Sequence, residues 1–336
     1  MAIKIPDELK ADIPLTPWGK VLSSTPIVMT VIATMLAGLA SSEMTRAQYD
    51  RALAAQQQSK AGDQWGFFQA KRLRGAVQHN ALDILQATAD VRPLEATTVR
   101  KSIEELAAQA GPAGAEEIRK QILSALDSPD GRQTLAVLEK GELPGSVIAP
   151  TVDPKIKSAL DAVESLKPEP ELLAAIGLLD DPGILAAIHA ARDKTQELDT
   201  LLKPVNQTID QLEKLLSRQL AVLAAAGSPG AVQTRSMNRD FTAARLRYTA
   251  LRYETEARLN QSIASLMELQ VRRSNITAER HHNRSQRFFF GMLGAQMAVI
   301  ISTFAVAARK RNLLWSLAAA AGLAAIVFAI YVYVFL

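Results

Sequence analysis

The run LLWSLAAAAGLAAIVFAIYVYVFL, Leu313 to Leu336, contains no Asp, Glu, Lys, Arg or His. A helix needs about 20 apolar residues to cross the hydrocarbon core of a bilayer, and this stretch is long enough. Just upstream, Phe288–Ala308 forms a second run without an ionisable side chain, and only Arg309, Lys310, Arg311 and Asn312 separate the two. Two spans joined so tightly read as an antiparallel hairpin. A third run, Val21–Ala40, is the weakest, because Pro26 and several Ser and Thr lie inside it. Its end, Gly38-Leu39-Ala40, resembles a signal cleavage site. However, the preceding stretch mixes Asp7, Glu8 and Asp12 with Lys4, Lys10 and Lys20. That balance is unlike an export signal, so the segment reads as an uncleaved anchor.

The expected fold is therefore all-α, with three transmembrane helices, a long helical stalk and a distal head of short helices. Small residues four apart let spans approach closely, and Gly291 with Ala295, Gly294 with Ala298 and Ala318 with Gly322 have that spacing. Gln296 is the one strongly polar side chain deep in a span, and it reads either as a hydrogen bond between helices or as a tolerated lone amide. Trp315, Tyr331 and Tyr333 fall near span ends, as an aromatic belt requires.

Outside the spans the texture changes twice. Residues 41–90 read as one helix leaving the first span, with Gly62 and Gly66 as points where it can kink. Residues 91–230 hold eleven of the fifteen prolines and nine of the seventeen glycines, which cut them into short helical pieces. One predicted break falls at Pro204, between pieces 183–202 and 204–226. From Ala231 to Phe290 there is neither proline nor glycine, so a single helix is expected to run through 231–287 into the second span. Phe241, Tyr248, Leu251, Leu259, Ile263, Leu266 and Leu269 make an irregular apolar seam along it. No aromatic residue occurs between Phe68 and Phe241. A thick globular core normally leans on rings for buried area, so thin Ala/Leu layers are expected here.

Charge is concentrated in one place. Residues 231–287 carry eleven arginines, no lysine and five acids. Arg272, Arg273, Arg280, Arg284 and Arg287, with Arg309, Lys310 and Arg311 across the span, are suited to forked hydrogen bonds with anionic lipid headgroups. The basic 309–312 turn and the N-terminal lysines favour a cytoplasmic N-terminus and a periplasmic middle. The arginines near 280 pull the other way.

Catalytic signatures are missing. There is no cysteine, no HExxH, no glycine-rich phosphate loop and no GxSxG elbow. The pairs Glu104-Glu105, Glu116-Glu117 and Asp180-Asp181 read as solvated surface. His189 reads as a partly buried structural residue, and His281 and His282 as exposed positions near the headgroups. No metal ligand set or cofactor site is expected, the chain is not read as an enzyme, and nucleic acid is not an expected partner.

The stretch Asp63-Gln-Trp65-Gly-Phe67-Phe68-Gln69-Ala70-Lys71-Arg-Leu-Arg74 resembles the signature of the bacterial membrane-protein family called DUF4337. The C-terminal order of polar helix, apolar run, basic turn, Leu-Leu-Trp315 and last apolar run is similar as well. The resemblance covers about 41–90 and 235–336, with 91–230 looking like an insertion. It implies a multi-pass topology in a bacterial inner membrane and no reaction. On a helix, Trp65, Phe68, Gln69 and Arg72 share a face. Trp65, Phe67 and Phe68 are expected to be core between the two long helices. Alternatively Trp65, Gln69 and Lys71 form an oligomer or ligand contact. The functional expectation is a membrane-anchored scaffold or accessory protein, forming a homo-oligomer or joining other membrane proteins. The alternatives are a sensor binding a ligand in the 91–230 head, and a pore or transporter subunit.

Overall fold

A computed structural model describes residues 17–109, 116, 119–144, 152–225, 230–307 and 311–335. The described residues contain helices and no strand. In chain order they form α1 (Pro17–Thr88), α2 (Ala96–Gln109), a π-helical turn (Arg119–Leu123), α3 (Ser124–Asp127), α4 (Pro129–Lys140), α5 (Pro154–Glu164), α6 (Glu169–Gly177), α7 (Asp181–Ala225), α8 (Gly230–Ala307) and α9 (Arg311–Phe335). α1, α8 and α9 are each long and apolar enough to cross a membrane. α6 and α7 together pass the same test but meet at 87°.

Contacts divide the chain into two units, residues 1–56 with 271–336, and residues 57–270. In the first, parts of α1 and α8 pack with α9 around Ala33, Leu36, Ala40, Phe288, Ala295, Ala325 and Val332. Ala298 and Ala318 are also fully buried. Small side chains set this spacing. A Cβ on Gly291 would lie 3.4 Å from Leu36 Cδ1, and one on Gly294 3.6 Å from Ala325 Cβ. A Cβ on Gly322 would come within 2.9 Å of Met29 Cε. Gln296, by contrast, is exposed and faces away from the helix contact, so it does not bond between helices of this chain.

The second unit has a larger core. Val99 and Ile103 of α2, Leu135 and Leu138 of α4, Leu198, Leu202, Val205, Ile209, Leu212 and Leu216 of α7, and Phe241 and Tyr248 of α8 are buried together. The expected break at Pro204 is absent, and α7 runs through it. Proline removes one backbone donor and crowds the preceding turn. Here the buried stripe keeps three- and four-residue spacing on both sides, and packing outweighs the local cost. Gly62 and Gly66 likewise leave α1 unbroken.

The Asp127-Ser-Pro-Asp-Gly131 turn signal marks a helix junction. Ser128 caps α4 by accepting from Gly131 N at 2.9 Å, and Pro129 takes the first helical position, where its missing donor costs nothing. Gly131 is pressed on the preceding turn, and a Cβ there would sit 2.8 Å from Leu126 Cα. Gly141 ends α4 at φ 68°, a left-handed conformation that glycine adopts without strain.

Because the atoms opposing Gly131 are backbone, Gly131→Ala is expected to lower stability by about 1–3 kcal/mol through overpacking. Gly177→Ala, with nothing within 4 Å of the added Cβ, is expected to be neutral or slightly stabilising. Thermal unfolding of the full chain in detergent, followed by circular dichroism, compares the two.

Candidate functional site

The signature residues sit in the middle of α1 and meet α8 within the 57–270 unit. Four-residue spacing on α8 places Tyr248, Arg252, Glu256 and Asn260 along one face. Gln64 donates to Asn260 Oδ1 at 2.5 Å. Lys71 forms an ion pair with Glu256 Oε2, and its ammonium lies 5.5 Å from the Tyr253 ring centre. Arg252 donates from Nε to Glu256 Oε1 at 2.9 Å and stacks 4.9 Å from the Tyr253 centroid. From Nη1 it also reaches Asn206 Oδ1 on α7 at 2.9 Å, and the Tyr248 hydroxyl donates to the same oxygen at 2.9 Å. Glu213 and Arg245 add a further ion pair between α7 and α8.

Glu256 is the centre of this network. It is only 4% exposed and holds two cations from two helices. A buried carboxylate is tolerated only when it is paired and hydrogen-bonded. Both its oxygens have partners, so the arrangement is a clamp and not a reactive acid. Tyr248, 2% exposed, is pushed up to about 12 by burial, against the pull of the neighbouring Arg252 guanidinium. Charge-stabilising surroundings for a phenolate are thus outweighed by desolvation.

Beside the clamp lies a cleft of about 510 Å³, with Phe68, Arg72 and His79 of α1 facing Glu254, Arg258 and Gln261 of α8. Its floor is low because Gly75 and Ala257 are small; a Cβ on Gly75 would already touch Tyr253 Cβ at 3.5 Å. Trp65 and Phe68 meet edge to face at 5.5 Å, and Arg72 lies 6.0 Å over Phe68. Trp65, Phe68 and Lys71 are half-buried and Gln69 is exposed. Phe67 departs from the core expectation: it is 59% exposed, because it lies on the α1 face turned away from α8.

Of the arginines, Arg272, Arg273, Arg284 and Arg287 are half-buried and Arg280 is exposed. Arg309 and Lys310 lie outside the described residues, as does the side chain of Arg311. The histidines differ from expectation. His189 is exposed. His281 is half-buried, with Nδ1 2.5 Å from Glu43 Oε2 and Nε2 3.9 Å from Asp50 Oδ2. A helix crossing had brought distant carboxylates to it. Sequence reading also passed over Glu256 and Asn206. The i, i+4 ladder from Tyr248 to Asn260 carried a signal for Glu256, but none marked Asn206.

Two outcomes follow for the clamp. Glu256→Ala leaves Lys71 and Arg252 unpaired at a buried site and is expected to cost about 3–5 kcal/mol; a loss below about 1 kcal/mol in chemical unfolding would show that the pairs are incidental. For Tyr248 the sign follows from its raised folded value against about 10 when unfolded. The neutral phenol contributes its full stability below pH 10, and this is lost as pH rises towards 12. Tyr248→Phe is therefore expected to be less stable by about 1 kcal/mol at pH 8, from the lost hydrogen bond. The gap to wild type should close between pH 10 and 12. A constant gap across that window contradicts the assignment.

The family model described as Domain of unknown function (DUF4337) matches residues 18–123. The match contains the 63–74 signature and continues through α2 to the π-helical turn, beyond residue 90 where the sequence reads as an insertion. It does not extend to 235–336. No curated protein and no solved structure matches the chain. Across residues 18–123 the chain resembles the DUF4337 family.

Proposed function

We propose that the chain is a membrane-anchored helical scaffold that associates with further copies of itself through the outer face of α1, and that it is an interaction protein and not an enzyme. One observation carries the reading. Lys71 meets Glu256 and Gly75 lies against Tyr253 of α8, and Leu82, seven residues on, is buried. Two residues further on, about 200° around the helix, Leu73, Val77 and Ile84 are 67%, 53% and 65% exposed. A helix with one packing partner normally turns polar residues outward. A row of large apolar residues in water marks an interaction surface. The spacing of four and seven is what a second helix recognises.

In this reading the three apolar helices lie in a bacterial inner membrane, with the N-terminus in the cytoplasm and the middle of the chain in the periplasm. The motivation is the basic 309–312 turn. A reporter fused after Lys310 is expected to be active only as a cytoplasmic fusion; periplasmic activity reverses the orientation.

A second reading, in which 91–230 binds a ligand, draws on a cleft of about 400 Å³ lined by Asp153, Lys155, Ile156, Leu179 and Gly183. Its size suits a small molecule, but none of the described residues that line it is a buried ionisable group.

The chain has no cysteine, so single cysteines report contacts cleanly. In native membranes, Val77→Cys and Leu73→Cys are expected to give a disulfide-linked dimer under mild oxidation, and Ala76→Cys, beside the cleft, is not. Monomer for all three overturns the scaffold reading. A heavier adduct containing a different protein replaces self-association with a foreign partner.

A further inference from the structure

The apolar run of α8, Phe288–Ala308, carries one side-chain amide, Gln296. It is the ninth of the 21 residues, which at about 1.5 Å per residue puts it about 12 Å from the nearer end of the run. The hydrocarbon core of a bilayer is about 30 Å thick, so the amide lies near its middle. Long basic side chains escape from near span ends by reaching to the interface. A glutamine side chain is too short to do so from this depth. The hydroxyls of the same run are satisfied on their own helix: Ser302 donates to Val299 O at 2.9 Å and Thr303 to the same oxygen at 2.8 Å.

Folding of the chain does not use the amide. The buried positions of this run are Phe288, Gly291, Ala295, Ala298, Ser302 and Ala305. Gln296 is exposed, about 100° around the helix from Ala295, and has no hydrogen-bond partner among the described residues. Phe289, Leu293, Ile300 and Thr303 are exposed as well. With Gln296 they alternate at spacings of four and three, the 3.5-residue repeat of a coiled-coil seam. The apolar members of that seam need no partner, since lipid is as apolar as they are. The amide does need one, because hydrocarbon offers neither a donor nor an acceptor.

We infer that α8 pairs within the membrane with α8 of a second copy of this chain, along the seam from Phe289 to Thr303, and that Gln296 bonds to Gln296 of the partner subunit. A primary amide both donates and accepts, so two of them satisfy each other reciprocally. Copies of one chain carry the same flanking charges and insert in one orientation. A two-fold axis along the membrane normal therefore brings the two amides to one depth by symmetry. A foreign span would need a polar group of its own at that depth. The inference rests on the membrane reading of α8 and on self-association, and it adds a contact separate from the outer face of α1.

Single cysteines in the full chain test the seam. In native membranes treated with copper phenanthroline, Leu293→Cys and Ile300→Cys are expected to give a disulfide-linked dimer, and Leu323→Cys, exposed on α9, is not. The amide is tested in mild detergent, where sedimentation gives the dimer dissociation constant. Gln296→Leu is expected to raise it about tenfold, equivalent to about 1.4 kcal/mol, with helicity unchanged because the side chain faces lipid. Gln296→Asn keeps an amide and is expected to retain most of the affinity. Equal crosslinking at all three cysteine positions, or one dissociation constant for wild type and Gln296→Leu, overturns the inference. So does an adduct at Ile300→Cys that contains a different protein. Val77→Cys is read in the same membranes. A dimer there without one at Leu293→Cys or Ile300→Cys overturns the α8 contact alone, and the reverse overturns the α1 contact alone.

Discussion

Backbone amides in hydrocarbon find no water, so each N–H and C=O must be satisfied within its own segment. For three apolar runs with no strand partner, the helix is the available solution, and the remaining architecture has to accommodate three helices that share one solvent. Burial of apolar surface cannot hold them together there, since lipid is as apolar as leucine. Close approach must do so instead. Gly291, Gly294 and Gly322 each stand where a Cβ would meet a side chain of a neighbouring helix, and Ala295, Ala298 and Ala318 are fully buried beside them. The glycine and alanine content of the spans is thus the packing interaction itself.

The 57–270 unit solves a different problem. Its core has few rings, and Phe241 and Tyr248 are the aromatic side chains among its buried residues. Leucine and alanine layers bury area but discriminate poorly between registers of neighbouring helices. A buried ion network has the opposite property. Glu256 can be satisfied only when Lys71 of α1 and Arg252 of α8 stand at one height, and Arg252 reaches Asn206 only when α7 is in place. The net gain from such pairs is small after desolvation. The penalty for a slipped register is large, because it leaves a charge without a partner. In this core the polar network fixes the register, and the apolar layers supply most of the stabilisation.

The sequence was legible where one local rule had no competitor. Long uncharged runs meant spans. The small-residue pairs and the seam Phe241, Tyr248, Leu251, Leu259, Ile263, Leu266 and Leu269 meant buried faces; Gly294 and Leu251 are half-buried and the others are buried. It misled where a local rule met packing. Pro204 read as a break, yet the α7 stripe continues in register across it. Gln296 read as interhelical glue or as a lone amide; its neighbours Ala295 and Ala298 take the contact within the chain and leave it exposed. His281 read as a headgroup residue because its basic neighbours were visible and Glu43, 238 residues away, was not. Pairings of that separation leave no local trace in one chain; the contacts of Glu256 with Lys71 and of Arg252 with Asn206 are of this kind, although the i, i+4 ladder on α8 marks Glu256 itself.

The signature segment shows how one short motif can serve two demands. Consecutive helix positions turn by about 100°, so a compact run must visit every face. Trp65, Phe68 and Lys71 are half-buried: the two rings meet each other and Lys71 meets Glu256, and these positions are accounted for by folding. Phe67 and Gln69 are not, since both are exposed. The apolar positions that follow, Leu73, Val77 and Ile84, are equally unneeded by the core. A helix selected only to pack on α8 would place Lys, Glu or Gln at them, as the exposed positions of α7 do with Gln196, Glu197 and Lys203. Folding within one chain therefore accounts for one face of α1, and not for the apolar character of the opposite face.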